Sequence, residues 1–114
     1  IIIGDNVALN GTVITSKKKI VVGNNCMIAP NVIIVDTDFH LHWPPEKRFE
    51  QVPAKYDQEV NIKSNVWIGM NSIVLKGVTI GANSIIGAGS VVTSDIPENV
   101  VVSGNPARII KKLN

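Results

Sequence analysis

From Ile62 to Val92 every sixth residue is a β-branched aliphatic: Ile62, Ile68, Val74, Ile80, Ile86 and Val92. Three residues after each stands Asn65, Asn71, Gly77, Asn83, Gly89 or Asp95, and four after stands Val66, Ser72, Val78, Ser84, Ser90 or Ile96. A second block runs in another phase, with Val22, Ile28 and Ile34 followed three residues on by Asn25, Asn31 and Thr37. A third opens the chain, where Ile3 and Leu9 precede Asn6 and Thr12. A six-residue unit is one short strand plus a corner. Asn or Gly at the corner adopts the left-handed backbone that other residues resist. The aliphatic residue points inward and stacks on its equivalents, each burial contributing roughly 1.5–3 kcal/mol. A single unit has nothing to bury its face against, so the units must stack.

Three such units make a triangular coil of about 18 residues. The pattern therefore predicts an all-β chain: a parallel β-helix over residues 1–97, left-handed as hexapeptide-repeat β-helices are although the period alone does not set the hand, and a C-terminal tail over 98–114 packing on the last coils. Residues 62–97 would form two full coils. Left-handed winding departs from the right-handed rule for parallel crossovers. Two breaks interrupt the period. Leu9 and Val22 are 13 residues apart rather than 12, and Lys17, Lys18 and Lys19 sit at the surplus. A solvated corner is the expected reading of that run, ahead of an anion site. The larger break, a loop at about 38–59, holds Pro44, Pro45 and Pro53 and seven charged residues between Glu46 and Glu59. It also holds Phe39, Trp43, Phe49 and Tyr56, four of the five aromatics, and both histidines, His40 and His42. A loop this long in a compact repeat is characteristically functional when ordered, and its aromatics favour order.

Composition agrees with the pattern and excludes alternatives. The chain has 17 Ile and 16 Val against four Leu, a ratio that suits pleated surfaces and not helical bundles. Net charge is +2 with basic residues scattered apart from Lys17–Lys19, so the basic stripe of a nucleic-acid binder is missing. No apolar run approaches the roughly 18 residues of a membrane span, and Ile1–Ile3 leads directly into Gly4, Asp5 and Asn6, unlike a secretory leader. The chain opens in mid-pattern without Met, which points to a missing N-terminal segment. Cys26 is the sole cysteine. It excludes an internal disulfide, suits a reducing, cytoplasmic setting, and falls on a small inward position as a core residue. Catalytic zinc needs about three protein ligands, and His40 and His42 alone do not supply them, so no metal is expected. Thr12, Thr15, Thr37, Thr79 and Thr93 form no ladder of the kind an ice-binding face needs. A non-catalytic scaffold stands as the alternative to an enzyme.

The motifs Asn65-Val-Trp-Ile-Gly69, Gly77-Val-Thr-Ile-Gly81, Ile86-Gly-Ala-Gly-Ser-Val-Val-Thr93, Asp95-Ile-Pro97 and Gly104-Asn-Pro-Ala-Arg-Ile-Ile110 resemble the hexapeptide-repeat acyltransferases, in their maltose/galactoside O-acetyltransferase branch. Ile28-Ala-Pro-Asn-Val32 and Asp36-Thr-Asp-Phe-His40 are similar to the run preceding that family's active-site loop. The resemblance implies an acetyl-CoA-dependent O-acetyltransferase acting on a sugar or glycan-precursor hydroxyl, with N-acetylation of an amino sugar left open. It implies a homotrimer with active sites between subunits. His40 aligns with the catalytic general base, a role histidine fills because it accepts protons near neutral pH, with direct transfer in a ternary complex; His42 is the runner-up. Met70, Ala88, Thr93, Ser94, Arg108 and Lys111 align with positions that hold the cofactor, the last two near its phosphates. Asn10 and Trp67 align with acceptor-side positions. Met70 replaces a family Ser, so oxyanion stabilisation falls to a backbone amide or water. Lys18 stands where an acidic acceptor-binding residue is expected.

Overall fold

The computed structural model describes residues 1–114. Short strands alternate with tight corners: β1 (Ile2–Ile3), β2 (Ala8–Leu9), β3 (Val13–Thr15), β4 (Ile20–Val22), β5 (Met27–Ile28) and β6 (Ile33–Val35) precede the loop. After it come β7 (Val60–Ile62), β8 (Trp67–Ile68), β9 (Ile73–Val74), β10 (Thr79–Ile80), β11 (Ile85–Ile86) and β12 (Val91–Val92). Every third strand stacks on the last. Three faces result: β1-β4-β7-β10, β2-β5-β8-β11 and β3-β6-β9-β12. The pairing within each is parallel, and after the loop its register steps by 18 residues, Asn61 on Thr79, Trp67 on Ile85 and Ile73 on Val91. This is a left-handed parallel β-helix of hexapeptide repeats with one long inserted loop. At the far end β13 (Val100–Gly104) continues the second face in parallel, and β14 (Ala107–Lys112) returns antiparallel to it, closing that face with a hairpin. No helix is long and apolar enough to cross a membrane.

The inward positions form one core. Ile62, Ile68, Val74, Ile80, Ile86 and Val92 are all fully buried, as are Val66, Ser72, Val78, Ser84 and Ser90 four residues after the first five. Residues from Ser to Ile fill that position, where neighbouring faces meet. The serines bring hydroxyls into an apolar interior, where a polar group needs a partner. Ser84 donates to Pro97 O at 2.7 Å and accepts from Val100 N–H at 3.1 Å, and Ser72 donates to Gly87 O at 3.1 Å. At the corners Asn6, Asn25, Asn31, Asn65, Asn71, Asn83 and Asn99 have φ between 55° and 67°. Their amides also run along one edge, Asn65 donating to Asn83 and Asn83 to Asn99 at 3.2 and 2.8 Å.

The first coils depart from the expected phase. Register places Leu9 on Ile28, Ile14 on Ile34 and Ile3 on Val22, so the corner after β2 is one residue short and the corner after β3 two residues long. The left-handed residue of the short corner is Gly11, φ 67°, instead of Thr12. Thr37 and Asp95 likewise do not take the left-handed backbone expected of them.

The long corner at Lys17–Lys19 is an anion site after all, although its anion is internal. The side chain of Asp36, at the end of β6, is fully buried and accepts Lys17 N–H at 2.8 Å, Lys18 N–H at 2.9 Å, Lys19 N–H at 2.8 Å and Ser16 Oγ–H at 2.6 Å. Successive backbone amides folded around one anion form a nest; only the lysine side chains face solvent. Burial pushes the Asp36 carboxyl up, yet the Ser16 hydroxyl and the three amides more than offset it and hold the group below its ordinary range.

Two outcomes follow. Ile86→Ala removes a fully buried stack member and should cost about 2–5 kcal/mol in urea denaturation; a loss below about 1 kcal/mol would contradict the continuous stack. Asp36→Asn should be less stable than the parent at pH 7. Because the folded state depresses this carboxyl, its contribution is complete above the unfolded value of about 3.9 and fades as pH falls below it. The gap between the two proteins should therefore narrow in acid; a gap that widens there would contradict the nest.

Candidate active site

Strands β5, β8 and β11 stand on the second face in register, and their outward residues Met27, Trp67 and Ile85 make an apolar ladder continued by Val101. Beside it, where the chain turns toward the third face, lies a groove of about 310 Å³ lined by Ala29, Trp67, Gly69, Met70, Ile85 and Ala88 among others. Gly69 makes the groove's floor: a Cβ there would lie 2.6 Å from Ala88 N, so a side chain would force the coils apart. The backbone N–H groups of Met70 and Ala88, just past β8 and β11, donate to nothing in the chain. Two donors on an apolar wall are suited to an acyl or amide carbonyl.

The groove leads toward the terminal hairpin. Gly87, next to Ala88, faces Ser103, and Ser103 is paired with Arg108. Arg108 is exposed, forms no ion pair and donates only to Ala107 O, at 3.0 Å. Lys111 is paired with Val101 at the same edge. The structure thus gathers Trp67, Met70 and Ala88 in one groove and sets Arg108 and Lys111 on the strand that extends its face. Thr93 and Ser94 are exposed past β12, on the third face, and Asn10 is exposed at the short corner after β2; none of these three lines the groove.

His40 sits on the long loop, which leaves the third face after β6 and rejoins the first face at β7. Register between β6 and β9 steps by 40 residues instead of 18, an insertion of 22. Its first residues are tightly tied. Thr37 Oγ1 accepts Phe39 N–H at 3.2 Å, and His40 N–H donates to Asp38 O at 2.8 Å. This three-residue turn holds Phe39 at φ 69°, a strained conformation for a bulky residue. His40 Nδ1 lies 2.7 Å from Leu41 O. A carbonyl only accepts, so Nδ1 carries the hydrogen and a neutral ring presents its lone pair at Nε2, which has no partner in the chain.

Both ends of the loop meet Lys76, whose Nζ pairs with Asp38 at 2.6 Å and donates to Tyr56 O at 3.2 Å. Beneath the loop a cavity of about 220 Å³ is lined by Asp38, Leu41, His42, Val52, Tyr56 and Lys76. Of the two histidines, His42 lines this cavity, whereas His40 lines neither cavity nor groove of its own chain. Cys26 is buried and donates to Lys63 O at 3.0 Å; burial pushes its thiol up, only partly offset by backbone hydrogen bonds from Val66, Asn65 and Gly23. It is a core residue, with the raised thiol an activated nucleophile avoids.

Sequence reasoning missed the part played by Asp36, the strained turn at Phe39, the Lys76–Asp38 pair and the free amides of Met70 and Ala88. The only signal for the first was a spacing one residue too long at Lys17–Lys19, together with an acid that follows four aliphatics, Val32 to Val35. Backbone amides leave no trace in residue types.

Comparison with known proteins agrees with the fold. Residues 59–94 match the family model for the bacterial transferase hexapeptide (six repeats). The chain is 50% identical over 95 residues to a galactoside O-acetyltransferase of Lactococcus lactis subsp. lactis (strain IL1403), covering 83% of this chain and 44% of that protein. Among solved structures it is similar to the polySia specific acetyltransferase NeuO, with 37% identity, TM-score 0.82, and coverage of 96% of this chain and 50% of that one. It is also similar to a galactoside acetyltransferase in complex with coenzyme A, with 34% identity, TM-score 0.74, and coverage of 98% and 62%. The chain spans about half the length of the curated relatives it matches. With its period, its parallel stack and these likenesses taken together, the chain belongs to the hexapeptide-repeat acyltransferase family and is similar to the maltose/galactoside O-acetyltransferase branch within it.

Proposed function

We propose that the protein is an acetyl-CoA-dependent acetyltransferase that moves an acetyl group onto a hydroxyl of a sugar or glycan precursor. The observation that carries the proposal is the division of parts: an apolar groove with free amides, an unpaired Arg108 on the strand that extends its face, and an imidazole with an open Nε2 on the loop at another corner. The pantetheine arm of the donor lies along Trp67, Gly69 and Ala88, and Arg108 and Lys111 offset the nucleotide phosphates. Thr93 and Ser94 meet the donor from the third face of a neighbouring copy. Because His40 and the groove belong to different corners, the site is completed between chains, which supports a homotrimer of the family's kind. Asn10 and Trp67 take the acceptor side.

In the reaction His40 Nε2 removes the proton of the acceptor hydroxyl as that oxygen attacks the thioester carbonyl carbon. The carbonyl oxygen gains charge and is met by the Met70 or Ala88 N–H, which answers the absence of a serine hydroxyl at position 70. The C–S bond then breaks, the acetyl group stays on the acceptor oxygen, and the thiolate of coenzyme A takes the proton from the imidazolium. Leu41 O keeps the ring in the required tautomer throughout. The galactoside and polySia acetyltransferases among its relatives, by their names, act on sugars, which supports a glycan acceptor here. A cytoplasmic setting, where acetyl-CoA is made, fits the single cysteine.

Calorimetric titration with acetyl-CoA should show about one site per chain, with Arg108→Ala weakening it roughly tenfold or more through loss of charge-assisted hydrogen bonds. His40→Ala should keep that binding and lose on the order of 10²–10⁴-fold in turnover with the best sugar acceptor. No binding of acetyl-CoA to the parent protein would overturn the proposal.

A further inference from the structure

We propose that Asp36 is a positioning residue for His40: its buried carboxylate, gripped by the 16–19 corner, sets the backbone from which the catalytic turn is cantilevered. This inference rests on the reading of His40 as the base. Nothing joins Asp36 to the imidazole directly. Its side chain instead locks the residue that follows β6 onto the preceding coil through Ser16, Lys17, Lys18 and Lys19. Its main chain does a second task, since Asp36 O accepts Gln58 N–H at 3.0 Å and so closes the loop's base on its own first residue. Lys18 Nζ reaches Asp57 O at 3.5 Å beside this closure. Entry and exit of the loop are thus fastened at one point.

The four residues that follow show why such an anchor is needed. Thr37 is buried and holds Phe39 N–H, and His40 N–H closes the turn on Asp38 O. Phe39 keeps a left-handed backbone that an unrestrained chain would abandon, and a strained residue persists only where its surroundings over-determine it. Phe39 itself is 44% exposed, so side-chain packing does not impose the conformation. Restraint enters from the N-terminal side through Thr37 and the nest around Asp36, and is joined by the Lys76–Asp38 pair and by Leu41 N–H donating to Glu50 O at 3.0 Å. The carboxylate is suited to the work because it accepts four hydrogen bonds and donates none. An amide of the same shape accepts fewer and turns an NH₂ against backbone N–H groups.

The experiment compares the parent with Asp36→Asn and Ser16→Ala, at a temperature where each is folded by circular dichroism. Hydrogen exchange is followed at residues 38–42 and in β8 and β11, and kcat and KM are measured. In Asp36→Asn the amides of His40 and Leu41 should exchange at least roughly tenfold faster while β8 and β11 stay protected. The value of kcat should fall roughly 10- to 100-fold, as for a misplaced catalytic group, with KM for acetyl-CoA changed less than about twofold because the groove is untouched. Ser16→Ala, which keeps the carboxylate and three of its donors, should show both effects in smaller measure and serves if Asp36→Asn does not fold. Unchanged exchange at 38–42 in folded Asp36→Asn, or in Ser16→Ala where Asp36→Asn does not fold, overturns the proposal. A uniform rise in exchange across the coils with kcat unaltered does so too. The exchange measurement needs no substrate. A parent protein that fails to bind acetyl-CoA thus refutes the enzymatic reading, and the link from Asp36 to the turn is still decided.

Discussion

Everything in this chain depends on stacking one short strand on another in parallel with almost no slack. Each coil presents its inward aliphatics and small residues to the next at a fixed height, and the interior holds Ile62, Ile68, Val74, Ile80, Ile86 and Val92 at full burial. Such a stack tolerates no change of phase except at a corner, because shifting a strand by one residue turns its inward side chain out. Corners must therefore be short and left-handed, which Asn and Gly supply, and glycine is required where coils approach as closely as Gly69 and Ala88 do. Insertions are confined to corners for the same reason. The stack is a rigid frame with one permitted extension, and the extension carries the histidines.

The frame separates the functional parts by design of its connectivity. A triangular coil places consecutive strands on different faces, so the loop after β6 emerges between the third and first faces. The groove beside β8 and β11 belongs to the second. One chain holds both halves of the proposed chemistry, and His40 does not line the groove of its own chain. The homotrimer proposed above answers this separation by setting the loop of one copy against the groove of the next. The apolar outward ladders of Met27, Trp67, Ile85 and Val101, and of Val13, Ile33, Ile73 and Val91, give such association surface to bury.

The coil frame was legible in the sequence because a single period controls it. Inward residues from Ile62 to Ile96 fall where spacing alone puts them, and the loop bounds were visible as the interval in which spacing fails. The phase of the first coil was not, since Gly11 and Thr12 both suit a corner and only pairing with the next coil decides between them. The run Lys17–Lys19 shows a different limit. Its side chains advertise a solvated basic corner, whereas its work is done by three backbone amides and a neighbouring hydroxyl closing on Asp36. Residue types report side-chain chemistry; a nest, a strained turn at Phe39 or the free amides of Met70 and Ala88 are properties of backbone geometry. His40 was singled out through resemblance alone, and the geometry adds its tautomer.

The central claim is that one active site is shared by two chains, and subunit mixing tests it most directly. His40→Ala disables every loop it occupies, and Ala88→Trp blocks every groove. Refolded separately, each variant should be inactive. Refolded together in equal amounts, they should regain about a quarter of parental activity, from neighbouring pairs that join an intact groove to an intact His40 in a closed ring. A mixture no more active than its two components would contradict the account and return the whole reaction to a single chain.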